Sequence, residues 1–249
     1  MHVLPTRKLS AGANMAVDQL LLEQYSEADQ PRFRHYEWDR PAFTFGRTQR
    51  WTDAEQRLPV HTSWREAHDH FADKFQLIRR STGGGVVDHR DDWTYALVVP
   101  ASHALAKLKA GDAYREVHNI LAWALKAQDV DARLAPCPCD DSENVADSKA
   151  TSASVCFHQA EPGDVIDADG EKLAGAAQRR TRDGLLMEGS IDRATIRGIN
   201  WTRFEADFTG ALAEWLGGSL AKQGFPKWPQ GTLAELIAHY ESPAWNQRR

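Results

Sequence analysis

Apolar positions recur at helical spacing over residues 14–25, where Val17, Leu20 and Leu21 share a face that Met15, Leu22 and Tyr25 widen. Asn14 is the expected N-cap. The same period predicts a helix over 113–128, with Tyr114, Val117, Leu121 and Leu125 as its buried stripe. Another is predicted over 201–216, with Phe204, Phe208, Leu212 and Trp215 on one side. Thr232-Leu233-Ala234-Glu235 is a capping-box pattern that opens a short last helix. Shorter apolar runs predict strands at Arg32–Trp38, Ala42–Phe45, 75–80, 94–99, 164–166, 172–178 and 185–191. Asp169-Gly170 fits a hairpin turn between two of these. From 134 to 154 the pattern gives way to Pro, Cys, Asp, Ser and Ala, which predicts a long mobile loop. Strands and helices mix without a regular βαβ alternation. The expected class is therefore α+β, a mixed and largely antiparallel central sheet flanked by helices.

The 249 residues are enough for one large domain or two small ones, and are read as one catalytic-type domain, with a core over about 12–215 and a short helical tail over 216–249. A 42% hydrophobic and 26% charged composition is that of an ordinary water-soluble chain. A net charge of −5 argues against a protein that coats nucleic acid. The apolar runs are too short to span a bilayer, and no secretory h-region opens the chain. Three cysteines, an odd number, do not make a disulfide framework, so a reducing cytoplasm is the simplest setting.

The densest chemical signal is Arg79-Arg80-Ser81-Thr82-Gly83-Gly84-Gly85, placed between two predicted strands. Three glycines without Cβ let backbone approach a ligand closely. No Walker lysine follows and no Gly-x-Gly-x-x-Gly is present, so this is not a standard phosphate cradle. Cys156 stands where the loop returns to ordered pattern, and a thiolate there would be a strong nucleophile. Lys172 stands among small residues in Lys172-Leu173-Ala174-Gly175-Ala176-Ala177. Read alone, Cys156 is more often a small buried apolar residue, and Lys172 a solvated hairpin lysine. Cys137, Cys139, Cys156 and His158 can be drawn as a zinc site, but Cys-x-Cys lacks the usual gap and no metal is assigned. Arg179, Arg180 and Arg182 form a basic run that suits either a solvated turn or contact with an acidic partner.

Together these segments resemble the superfamily of lipoate and biotin protein ligases and octanoyltransferases. Arg79-Arg80-Ser81-Thr82-Gly83-Gly84-Gly85-Val86-Val87-Asp88-His89 resembles its Arg-Arg-x-(Ser/Thr)-Gly-Gly-Gly-x-Val-x-His signature. Residues 169–177 resemble its Gly-x-Lys segment, Asn14-Met15-Ala16-Val17-Asp18 its first helix, and Gly46-Arg47-Thr48-Gln49 its Gly-Arg-x-Gln turn. The finer likeness is to LipM-type octanoyltransferases, through Thr94-Tyr95-Ala96-Leu97-Val98-Val99-Pro100, Ala113-Tyr114-Arg115-Glu116-Val117 and Ser154-Val155-Cys156-Phe157. Met187-Glu188-Gly189-Ser190 departs from the usual Gln-His-Gly-Ser, and the residues after Phe157 are atypical.

The resemblance implies transfer of an octanoyl group from acyl carrier protein to a lysine of a lipoyl domain or glycine-cleavage H protein. It implies Cys156 as nucleophile, Lys172 as its activating partner, and Arg79, Arg80, Thr82, Gly83, Gly84, Gly85, His89, Gly175 and Ala177 as the substrate-binding wall. No cofactor, nucleic acid or membrane is implied. Two other readings fit the same residues: an ATP- and Mg-dependent lipoate or octanoate ligase, and a non-catalytic acyl-binding homologue. The ligases usually carry Gly-Asn after the histidine, where Asp91-Asp92-Trp93 stands here.

Overall fold

A computed structural model describes residues 1–25, 27–58, 75–137 and 160–248. Strand β1 (His2–Leu9) leads into helix α1 (Ala11–Glu23), followed by β2 (Arg32–Trp38), β3 (Ala42–Phe45), α2 (Trp51–Gln56), β4 (Gln76–Arg79), β5 (Val87–Asp88) and β6 (Asp92–Pro100). Helices α3 (Ala104–Lys107) and α4 (Ala110–Lys126) come next, then β7 (Arg133–Leu134), β8 (Val165–Ile166), β9 (Lys172–Thr181) and β10 (Gly184–Asp192). Helix α5 (Trp201–Trp215), β11 (Ala221–Lys222), α6 (Thr232–Glu241) and α7 (Pro243–Asn246) close the described chain.

Eight strands pair in the order β11-β1-β2-β6-β10-β9-β8-β7. The β11-β1-β2 edge is parallel and every pair beyond it is antiparallel. A smaller sheet, β4-β3-β5, has one parallel and one antiparallel pair. This is the mixed, largely antiparallel α+β arrangement that the intermixed sequence pattern predicts.

The period-two alternation of β6 divides the core. Trp93, Tyr95, Leu97 and Val99 pack against Val117 and Leu121 of α4 and Phe204 and Phe208 of α5. Ala96 and Val98 face the opposite layer, with Met15, Val17 and Leu21 of α1. Complete burial of Phe204 and Phe208 contributes about 2–3 kcal/mol each. Strand β10 begins in the same way, with Leu185 and Met187 in the first layer and Leu186 in the second. Its next residues on the α1 face are Glu188 and Ser190. The apolar layer stops there and a cleft begins.

Local details depart from the sequence expectations. Helix α1 starts at Ala11, capped by Ser10 Oγ accepting from the Ala13 N–H at 3.2 Å, and not at Asn14. Asn14 is buried inside the helix. Its amide donates to the Leu9 and Glu37 carbonyls, and its Oδ1 accepts from Arg34. Helix α6 opens at Thr232 as expected, but Gly231 at φ +90° is its N-cap and no side chain caps it. Strand β1 has no counterpart among the predicted elements. Pro5 interrupts its alternation and lies within the register shift between Leu4 and Arg7, where a missing N–H is tolerated. The expected loop over 134–154 lies outside the described residues from 138 onward, and Leu134 belongs to β7.

Arg79 shows how the tail is attached. Its guanidinium donates to five carbonyls: Arg47, Gln49, Trp245, Asn246 and Arg248. Its backbone N–H donates to Asn246 Oδ1 at 2.7 Å, and its carbonyl accepts from Trp245 Nε1 at 2.8 Å. Arg79→Ala removes every side-chain bond of this set at a buried position. It is expected to lower unfolding stability by about 3 kcal/mol, read from the urea midpoint at unchanged slope; a loss below about 1 kcal/mol contradicts the assignment.

Candidate active-site cleft

Strand register builds the cleft floor. Gly175, Ser190, Thr94 and Tyr36 stand in one cross-strand row, and Ala177, Glu188, Ala96 and Arg34 in the next. In the second row Ala177 and Ala96 alternate with Glu188 and Arg34, and Gly175, Ser190 and Thr94 keep the first row small, which leaves volume above the sheet. The cleft is narrow: the centre of a water-sized sphere can occupy about 50 Å³ of it. Met15, Trp38, Arg80, Gly84, His89 and Lys172 complete much of its wall.

The glycine triplet roofs this floor. Gly84 has φ +87°, a conformation that side-chain-bearing residues rarely adopt. Arg80 fastens the loop, donating from Nη2 to the Gly83 and Gly85 carbonyls at 2.7 and 3.0 Å and from Nη1 to Thr44 Oγ1 at 2.7 Å. The Thr82 hydroxyl donates to Glu188 Oε2.

Lys172 closes one end. Its Nζ lies 2.7 Å from Asp164 Oδ2, and the two side chains are 8% and 1% exposed. Asp164 is held in turn: Tyr114 Oη donates to Oδ1 at 2.5 Å and the Glu161 N–H donates to Oδ2 at 2.7 Å. The Tyr114 oxygen also accepts from the Ala176 N–H at 2.9 Å. Burial, reinforced by the Asp164 charge, pushes the Tyr114 hydroxyl well above its usual range, so it stays a donor. His118 packs edge-on to Tyr114. Burial drives His118 down to about 4, so the ring is neutral near pH 7 and its Nδ1–H donates to the Gly163 carbonyl at 2.7 Å. The lysine side chain lies directly over Gly175: a Cβ there would stand 2.6 Å from Lys172 Cε and 2.7 Å from Nζ.

His89 fixes another part of the wall. Its ring stacks on Trp38 at 4.1 Å between centroids. Nε2 lies 2.7 Å from Thr44 Oγ1 and Nδ1 2.7 Å from Asp92 Oδ2. The same Asp92 oxygen accepts from the hydroxyls of Thr94 and Ser190. Both ring nitrogens are thus engaged, and His89 is set as a rigid wall piece.

Of the residues singled out in the sequence, Lys172, Arg80, Gly84, His89, Gly175 and Ala177 line one cleft. Thr82, Gly83 and Gly85 are bonded to its wall residues. Arg79 turns to the chain's tail instead. Cys156, Cys139 and His158 lie outside the described residues. Cys137 is disulfide-bonded, although the odd cysteine count argues against a disulfide framework. The basic run divides: Arg179 lies 3.9 Å from Glu23, Arg180 bonds the Ala106 carbonyl, and Arg182 projects into solvent. Sequence reasoning missed Asp164 and the part played by Tyr114. Tyr114 sits on an apolar stripe and reads as core. Asp164 opens a strand eight residues before the lysine, and no motif marks it.

Residues 10–195 match the family described as Lipoyl protein ligase A/B catalytic domain. The chain is 27% identical over 284 residues to octanoyltransferase LipM of Kyrpidia tusciae, covering 100% of this chain and 98% of that one. It is 30% identical to octanoyltransferase LipM of an Exiguobacterium, over 84% of this chain and 71% of the relative. For octanoyltransferase LipM of Bacillus cereus the figures are 32%, 73% and 61%. In fold it resembles a lipoate-protein ligase A crystallised with ATP (TM-score 0.71, 15% identity, 99% and 98% of the two chains). It also resembles the bipartite lipoate protein ligase of Thermoplasma acidophilum (TM-score 0.72, 16% identity, 100% and 97%).

Proposed function

The chain belongs to the lipoyl protein ligase A/B catalytic domain family, and we propose that it works there as an octanoyltransferase in protein lipoylation. The observation that carries the reading is the joining of Lys172, clamped by Asp164, and the Arg80-held glycine loop in one narrow cleft. Relatives named octanoyltransferase LipM, matched over most of this chain, support the transferase over the ligase.

In the proposed reaction the Cys156 thiolate attacks the thioester carbonyl of octanoyl-acyl carrier protein. The carbonyl–sulfur bond to the carrier breaks, and the carrier thiolate leaves as the acyl-enzyme thioester forms. The amine of an acceptor lysine, on a lipoyl domain or glycine-cleavage H protein, then attacks the same carbon. Cys156 thiolate leaves, and the proton lost by the amine returns to the site. Thioester to amide is downhill, so the chemistry requires no ATP. Lys172 offers ammonium N–H donors to the thiolate and to the developing oxyanion, and it serves as the proton's carrier between the two half-reactions. Ala177 and Gly84 line the part of the cleft that would take the acyl chain, while Gly175 makes room for Lys172. Burial of the acyl chain contributes about 0.8 kcal/mol per CH₂.

Incubation with octanoyl-acyl carrier protein and no ATP tests this. Intact-protein mass spectrometry is expected to show one octanoyl adduct, mapped to Cys156 and discharged on adding an acceptor domain. No adduct, together with acceptor modification that needs ATP and octanoate, assigns the chain to the ligase reaction instead.

A further inference from the structure

Among the described residues, three buried carboxyl oxygens have no ordinary donor, Asp18 Oδ2, Glu188 Oε1 and Asp92 Oδ1, and the first two belong to one neighbouring pair. The two side chains are within hydrogen-bonding reach of each other. Their remaining oxygens are taken. Asp18 Oδ1 accepts from Arg34 Nε at 2.6 Å, and Glu188 Oε2 accepts from the Thr82 hydroxyl. Two facing carboxylates repel in a dry site unless one proton lies between them. That proton satisfies both orphan oxygens at once.

Thr82 immediately precedes the glycine triplet, so this pair bears on the roof. We propose that Glu188 is a positioning residue of the cleft: sharing one proton with Asp18, it holds Thr82, and with it the glycine loop, against the sheet. Glu188 stands where this chain departs from the Gln-His-Gly-Ser pattern. Two observations give the tie its direction. Arg80 already binds the loop's carbonyls from one side, and Thr82 supplies the bond from the loop to the floor.

The groups facing the pair come from every neighbouring element. They are Arg34 and Tyr36 of β2, Arg80 and Thr82 beyond β4, and Tyr240 of α6, whose hydroxyl burial keeps neutral. Burial first, and the Asp18 charge second, raise Glu188 from its ordinary 4.5 to about 7. The folded site therefore holds the proton more tightly than an opened one. Closure over the proton-sharing pair is therefore favoured most below pH 4.5, less as pH rises to about 7, and is level above that, although the Thr82 bond taken alone favours the ionised carboxylate.

That this roof covers an acyl chain rests on the octanoyltransferase reading. The tie itself does not, and amide hydrogen exchange in the unliganded protein tests it apart from turnover. After correction for base catalysis, protection of the amides over residues 82–86 is expected to fall roughly tenfold between about pH 5.5 and about pH 8. Glu188→Gln accepts from Thr82 and donates to Asp18 without titrating, so it keeps equal protection at both pH values. Thr82→Val is expected to exchange fast at both. A wild-type protein with no such pH dependence, or a Glu188→Gln variant that retains it, overturns the proposal.

Discussion

Lys172→Ala is expected to slow octanoyl transfer about a thousandfold, measured as acyl-enzyme discharge in single turnover. Lys172 is the ammonium at the end of the cleft, and its place is over-determined. Asp164 holds it at 2.7 Å, and Asp164 is itself fixed by Tyr114 and the Glu161 amide. A charge so preorganised needs no rearrangement when negative charge develops on sulfur or oxygen, which is why its removal is expected to cost so much. The variant also leaves Asp164 without its cation, and breaking a buried pair destabilises by about 3–5 kcal/mol. The thermal midpoint must therefore be measured beside the rate. Added propylamine, entering the space left by the side chain, is expected to restore part of the activity. A loss below about tenfold in a folded variant removes Lys172 from the chemistry.

Gly175→Ala is expected to cost about a hundredfold in kcat while the fold survives. The added methyl would overlap Lys172 Cε at 2.6 Å, Nζ at 2.7 Å and Asp164 Oδ1 at 2.9 Å. All three atoms belong to side chains, so the backbone need not move. The lysine must move, and a displacement near 1 Å at a reacting group suffices for an effect of this size. Overpacking here costs about 1–3 kcal/mol, which an otherwise intact chain tolerates. A separation between rate and stability is the signature. Equal losses in both would mean that Gly175 serves packing alone.

The two predictions show what the sequence could disclose. Lys172, Gly175 and Ala177 are legible because they crowd into one short segment whose side chains are small. The glycine triplet is legible because three missing Cβ atoms in succession are conspicuous. Strands β6 and β10 and helices α4 and α5 follow from simple periodicity. Asp164 was hidden because its meaning arises only where β8 and β9 pair. Tyr114 was hidden because a hydroxyl at the end of an apolar ring does not disturb a hydrophobic stripe. Glu188 stands out as an oddity, but its partner Asp18 lies 170 positions earlier and meets it only where helix α1 packs on the sheet. Arg79 and Arg80 looked alike in sequence. Their separation needs the geometry of extended backbone, in which neighbours point to opposite sides.

That separation makes the adjacent arginines a latch with two hands. Arg80 grips the roof of the cleft, and Arg79 grips the last turn of the described chain. Three of Arg79's five carbonyl partners come from Trp245, Asn246 and Arg248. A form of the protein trimmed just after Glu241 would leave that guanidinium buried with only the Arg47 and Gln49 carbonyls. Shortened or C-terminally fused versions must therefore keep the tail seated, because the peptide that anchors it runs on directly into the glycine loop.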